Sequence, residues 1–109
     1  MTTTEVPEPV ASFITAINTQ DNAAFFGAFA AEPVVDDWGT RYKGLAAIKT
    51  WSNRELLGAN GTFTMKRSGQ EGDVITVVGD WRSSFATGPS LFRFVLDGDK
   101  IASMTIREG

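Results

Sequence analysis

An α+β fold, with helices first and an antiparallel sheet after them, is what this sequence predicts, on three observations. Apolar residues recur with a helical period only before Gly58. From Gly61 onward they alternate with a period of two. Turn residues in that second half separate runs rich in β-branched and aromatic side chains, so helices and strands are segregated along the chain. The 109 residues make one domain, 1–109, and 42% apolar with 21% charged residues suffice for an ordinary core, which excludes disordered and membrane-spanning classes.

Pro7 and Pro9 can open a first helix over about 8–18, because Val10, Phe13, Ile14 and Ile17 follow at i, i+3, i+4 and i+7. Asp21 can cap a second, in which Phe25, Phe26 and Phe29 form one apolar face and Pro33 stops the helix. Val34-Val35 reads as a short strand that turns over at Asp36-Asp37-Trp38-Gly39, and Arg41-Tyr42-Lys43 as a second. Gly44 precedes a third helix, Leu45 to Leu57, with Leu45, Ile48 and Ser52 on one stripe, Trp51 beside it and Gly58 as its cap.

Phe63 and Met65 then share a strand face, and a turn over SGQEGD leads into Val74-Ile75-Thr76-Val77-Val78. If alternation holds past Gly79, Ile75, Val77, Trp81 and Phe85 face one way and Asp80 and Arg82 the other; a bulge at Gly79 resets that order. Ala86-Thr87-Gly88-Pro89 reads as a loop, Leu91–Leu96 as a strand with Phe92 and Phe94 inward, and Asp97-Gly98-Asp99 as a hairpin turn into a final strand over 100–106. Three helices over a long, curved sheet leave a gap that becomes a pocket lined by rings. Leu91 and Val95 are left on the opposite sheet face, which predicts a homodimer.

Composition narrows the chemistry. With no Cys and no His, the chain lacks thiolate nucleophiles, Ser-His relays, and sulfur or imidazole metal sites. Carboxylates, Lys, Arg and Tyr42 remain. A metal site would be oxygen-only, and Asp97-Gly98-Asp99 is too short for a calcium loop; no glycine-rich phosphate loop follows a strand, so neither metal nor cofactor is expected. Net charge −3 is unsuited to a phosphate backbone, which argues against nucleic acid as a partner. The absence of a leader-like start and of any long apolar run argues for a cytoplasmic protein with no membrane partner.

The run from Phe13 to Asn18, with Asp21, Phe29-Ala30, Val34-Val35-Asp36-Asp37, Gly44–Ile48 and the closing Phe92-Arg93-Phe94, Gly98, Lys100-Ile101 and Ser103-Met104, resembles the nuclear transport factor 2-like superfamily. Within it the resemblance is to ketosteroid isomerases and SnoaL-like polyketide cyclases. It implies a cone of three helices on a strongly bent, mainly antiparallel sheet, usually dimeric, around an internal pocket for a small hydrophobic or polyketide-like molecule. It also implies that the isomerase general base falls on Asp37, whereas the oxyanion tyrosine falls on Phe13, its supporting tyrosine on Ser52 and the protonated aspartic acid on Ser90. Losing one such donor costs about 10²–10³ in rate, so steroid isomerisation by that route is disfavoured. The superfamily's epoxide hydrolases use Asp-Arg-Asp, to which Asp80-Trp81-Arg82 corresponds only in part.

Asp37 therefore has two readings, a base lifted by the apolar surroundings of Trp38, Trp51 and Phe13, or a turn carboxylate capping backbone N–H groups. Tyr42, the one phenol, is either the acid that donates to an oxyanion or a half-buried strand aromatic. Phe13, Trp38, Trp51, Trp81, Phe85, Phe92 and Phe94 are the rings available for a ligand pocket, and a chain this small also needs some of them as plain packing. Function follows as a choice: cofactor-free proton transfer of the isomerase or cyclase kind with Asp37 and Tyr42, or a non-catalytic ligand-binding module or dimeric scaffold.

Overall fold

The computed structural model describes residues 6–56, 58, 60–84 and 86–109. Helix α1 (Val10–Thr19) presents Val10, Phe13, Ile14 and Ile17 to the core, as their spacing predicts. It ends at Gln20 in the left-handed conformation, and Asn18 ties it to the sheet by donating to the carbonyl of Phe63 and accepting from its N–H. Helix α2 (Asn22–Gly27) starts on the Asp21 carboxylate, which accepts from the N–H of Ala24 at 3.1 Å.

That helix is shorter than its phenylalanines suggest. The chain is already extended at Phe29, and strand β1 (Phe29–Asp37) carries Pro33 within it. Pairing of Phe29 with Ile101 of the last strand overrides local propensity here, and that parallel register shifts between Phe29 and Val34, where Pro33 has no N–H to give. Strand β2 (Thr40–Lys43) pairs back on β1, and helix α3 (Leu45–Glu55) follows Gly44, whose φ of 86° suits glycine. Leu57, expected to close α3, lies outside the described residues, while Gly58 N–H bonds the Ser52 carbonyl at 3.1 Å.

Strands β3 (Thr62–Glu71), β4 (Val74–Arg82), β5 (Thr87–Asp97) and β6 (Lys100–Glu108) complete one six-stranded sheet in the order β2-β1-β6-β5-β4-β3, antiparallel except for β1 with β6. Two polar stretches expected as loops are strand instead. Ser68 to Glu71 pair with Val74 to Val77, leaving a two-residue turn at Gly72-Asp73, and Thr87-Gly88-Pro89 pair with Asp80 to Arg82. Both lie at strand ends and are largely exposed, so their polarity reflects solvent rather than irregular backbone.

Alternation survives Gly79. Ile75, Val77, Gly79 and Trp81 are all buried, and the register shift sits across from them in β3, between Met65 and Arg67. Asp80 accordingly faces outward, where it pairs with Lys66 at 3.2 Å. The helices pack on the inner sheet face around a phenylalanine cluster: the Phe13 ring stacks on Phe25 at 4.7 Å and meets Phe29 and Phe94 edge-on at 5.4 Å each.

Candidate functional site

Asp37 ends β1 on the inner face. Its partners across the sheet are Thr40 in β2 and Ile106 in β6, and alternation puts the buried Val35 on the same side. Asp36 must then point the opposite way. There it accepts from Arg107 Nη1 at 3.0 Å and from the N–H of Gly39 at 2.8 Å, with Arg41 Nε 3.7 Å away. The hydrogen bond from Arg107, seconded by that from Gly39, holds the Asp36 carboxyl below the usual carboxylate range.

Above Asp37 runs α3, whose Ile48, Trp51 and Ser52 are fully buried by their i, i+3, i+4 spacing. The Trp51 indole N–H donates to Asp37 Oδ2 at 2.9 Å, so the ring that walls the site also orients its carboxylate. Between α3, the end of β1 and the β4–β5 pair lies a cavity of about 330 Å³. Trp38, Trp51, Trp81 and Phe92 supply its rings, and Asp37, Thr40, Thr87 and Ser90 its side-chain oxygens. Phe63 stacks on Phe92 at 4.4 Å and fixes it from behind.

Four of the seven expected pocket rings, Trp38, Trp51, Trp81 and Phe92, thus meet at one cavity together with Asp37. Phe13 and Phe94 do not line it: they are fully buried in the phenylalanine cluster under α1, because a helix laid flat on the sheet leaves no gap there. Phe85 lies outside the described residues. Tyr42 shares the inner face with Asp37 and its ring centroid is 5.9 Å from that of Trp51, but it is not in the cavity lining and its hydroxyl accepts from Arg54 Nη2 at 3.2 Å.

Ser90 and Ser52, on which the resemblance placed two of the isomerase's acids, are both buried. Ser90 faces the cavity, whereas the Ser52 hydroxyl is a buried side-chain oxygen with no hydrogen-bond partner among the described residues. Sequence reasoning missed Thr40 and Ile106 as lining residues, although pairing β1 against its neighbours would have placed both opposite Asp37. It missed Leu56 too, although Leu56 follows Ile48 and Ser52 at steps of four along the stripe predicted for the third helix. Among the described residues no group of His, Cys, Asp and Glu is arranged to hold a metal ion, and no helix is long and apolar enough to cross a membrane.

No protein-family model matches the sequence, and no curated protein matches it. Solved structures do match. A putative polyketide cyclase from Sinorhizobium meliloti is 25% identical with a TM-score of 0.86, over 94% of this chain and 95% of that one. An NTF2-like protein of unknown function from Cytophaga hutchinsonii is 16% identical with a TM-score of 0.79, over 97% and 93%. Rv0760c from Mycobacterium tuberculosis, in complex with estradiol-17beta-hemisuccinate, is 15% identical with a TM-score of 0.81, over 92% and 90%. With its helices on one face of a curved, mainly antiparallel six-stranded sheet, the chain has the fold of the nuclear transport factor 2-like proteins.

Proposed function

We propose that this protein binds a small hydrophobic or polyketide-like molecule in the cavity beside Asp37. One observation carries the reading: four large rings and a single carboxylate converge on a space of about 330 Å³, enough for a compact ring system. The likeness to a polyketide cyclase and to a protein holding a steroid ester supports a ligand of that kind. A homodimer is part of the same proposal, as is a cytoplasmic location, with which the cysteine-free composition is compatible.

A second reading, cofactor-free proton transfer as in an isomerase or cyclase, is favoured by the position of Asp37, a carboxylate oriented by Trp51 at the wall of an aromatic cavity. Its weak side is the acid. Tyr42 is not in the lining of the cavity, so the donor to a developing oxyanion falls to a backbone N–H.

Native mass spectrometry of the purified protein tests both readings. The wild type is expected to carry a small molecule, Trp81→Ala to lose it, and Asp37→Asn to keep it while abolishing any turnover of the molecule so identified. A wild type with no adduct and no affinity for hydrophobic dyes would sink the binding reading; full turnover by Asp37→Asn would sink the catalytic one.

A further inference from the structure

Backbone conformation does not explain the glycine at position 61, because its φ lies outside the left-handed region that favours glycine. Space does. A Cβ on Gly61 would fall on the Cζ2 and Cη2 atoms of the Trp81 indole and close to the Leu56 carbonyl oxygen. Trp81 and Leu56 both line the cavity, whereas Gly61 is buried and does not. The glycine is thus a seat behind the cavity wall, against which the edge of the Trp81 ring rests.

That seat is held in place. The Gly61 N–H donates to the Leu56 carbonyl at 3.0 Å, and the Gly61 carbonyl accepts from Gln20 Nε2 at 3.3 Å. Two residues on, Asn18 holds Phe63 at both its N–H and its carbonyl. Asn18 and Gln20 stand at the C-terminal end of α1, so the helix end clamps the start of β3. The Trp81 ring is confined on other sides as well. Its residue pairs with Phe63, the Phe92 ring centroid lies 6.2 Å from its own, and only 8% of its surface is exposed. The open volume beside it is the cavity, so a methyl group at position 61 would drive the indole inward.

We propose that Gly61 sets the size of molecule the cavity accepts, as a positioning residue that acts through Trp81. The inference rests on the reading of this cavity as a ligand site and adds what limits its occupant. A close-packed wall does not absorb an added methyl group without displacement, and the displaced ring takes its volume from the ligand. An apolar molecule that reaches the Trp81 wall loses its place, whereas a shorter one that stops before the wall keeps it. Selection by length therefore separates this role from a glycine that serves folding alone.

Two neutral probes decide the matter when titrated by fluorescence into the intact protein: 1-naphthol, with two fused rings, and N-phenyl-1-naphthylamine, which adds a third ring. The wild type is expected to bind both. Gly61→Ala should weaken the three-ring probe about tenfold and the two-ring probe by less than about twofold. Adding Trp81→Phe to Gly61→Ala removes the ring edge that the methyl group meets, and should bring three-ring binding back to within about threefold of the wild type. Equal effects on the two probes, or no recovery in the double variant, would overturn the proposal and leave the ligand site standing. If Gly61→Ala does not fold, the double variant decides: folded and binding N-phenyl-1-naphthylamine it supports the proposal, and unfolded or without binding it overturns it. A wild type that binds neither probe overturns the proposal too, and the adduct seen or not seen by native mass spectrometry then decides the ligand site separately.

Discussion

Asp36 and Asp37 are neighbours in sequence with separate chemistry, because a strand sends successive side chains to opposite faces. Asp37 meets an indole N–H at the cavity, and Asp36 meets two guanidinium groups and a turn N–H outside it. Since Arg107 and Gly39 hold the folded-state carboxyl of Asp36 below its unfolded value, the folded state binds fewer protons in that interval. The resulting stability is fully present above the ordinary carboxylate value of about 3.9 and is lost as pH falls through the lower folded-state value. Thermal melts taken across that acidic interval should show the wild type losing melting temperature, with a shallower loss in Asp36→Asn and a lower starting point for that variant near neutrality. Identical slopes for the two proteins would show that Asp36 does not contribute to acid unfolding.

Among the elements, the β3–β4 pair shows how a close backbone approach fixes a residue. A Cβ at Gly79 would run into the Thr64 carbonyl oxygen and the Met65 Cα, beside the register shift that lets β3 bend. Backbone atoms of a paired strand cannot step aside, so Gly79→Ala should cost about 1–3 kcal/mol in urea unfolding. Gly69→Ala is the control, since a Cβ there meets nothing within 4 Å, and it should stay within about 0.5 kcal/mol. Equal effects at the two sites would mean that crowding at Gly79 is relieved without cost. The sequence was legible where periodicity is strong: α1, the inward row of β4 and the hairpin at Gly98 follow directly from spacing. It misled where pairing overrules propensity, as at Phe29 and Pro33, which read as the end of a helix and its stop but lie within β1, Phe29 paired with Ile101 and Pro33 in the register shift that follows. Asp37 and four of the expected rings do meet at one cavity, Asp37, Trp51, Trp81 and Phe92 from inward positions and Trp38 from the exposed turn beside Asp37. Phe13 and Phe94 look the same on that count, and only the line along which α1 crosses the sheet assigns them to the core.

At the scale of the molecule, the helices cover one face of the sheet and leave the other to be covered or solvated. The uncovered face is not uniformly polar. Val74 lies across from Val95 and Val78 across from Leu91, two apolar cross-strand pairs flanking Thr76 and Arg93, all four of those aliphatic side chains half-buried in the single chain. An apolar stripe bordered by polar groups on a twofold-compatible sheet face fits a second copy of the same chain. Sedimentation at micromolar concentration should therefore give twice the chain mass for the wild type. Leu91→Lys, which sets a cation in that stripe without touching the inner face, should give the single-chain mass with an unchanged circular dichroism spectrum. Its flanking residues Ser90 and Phe92 face the cavity, so the same variant should still retain the bound small molecule. A wild type that sediments as a single chain would refute the dimer, and a Leu91→Lys protein that dimerises normally would move the interface off this face.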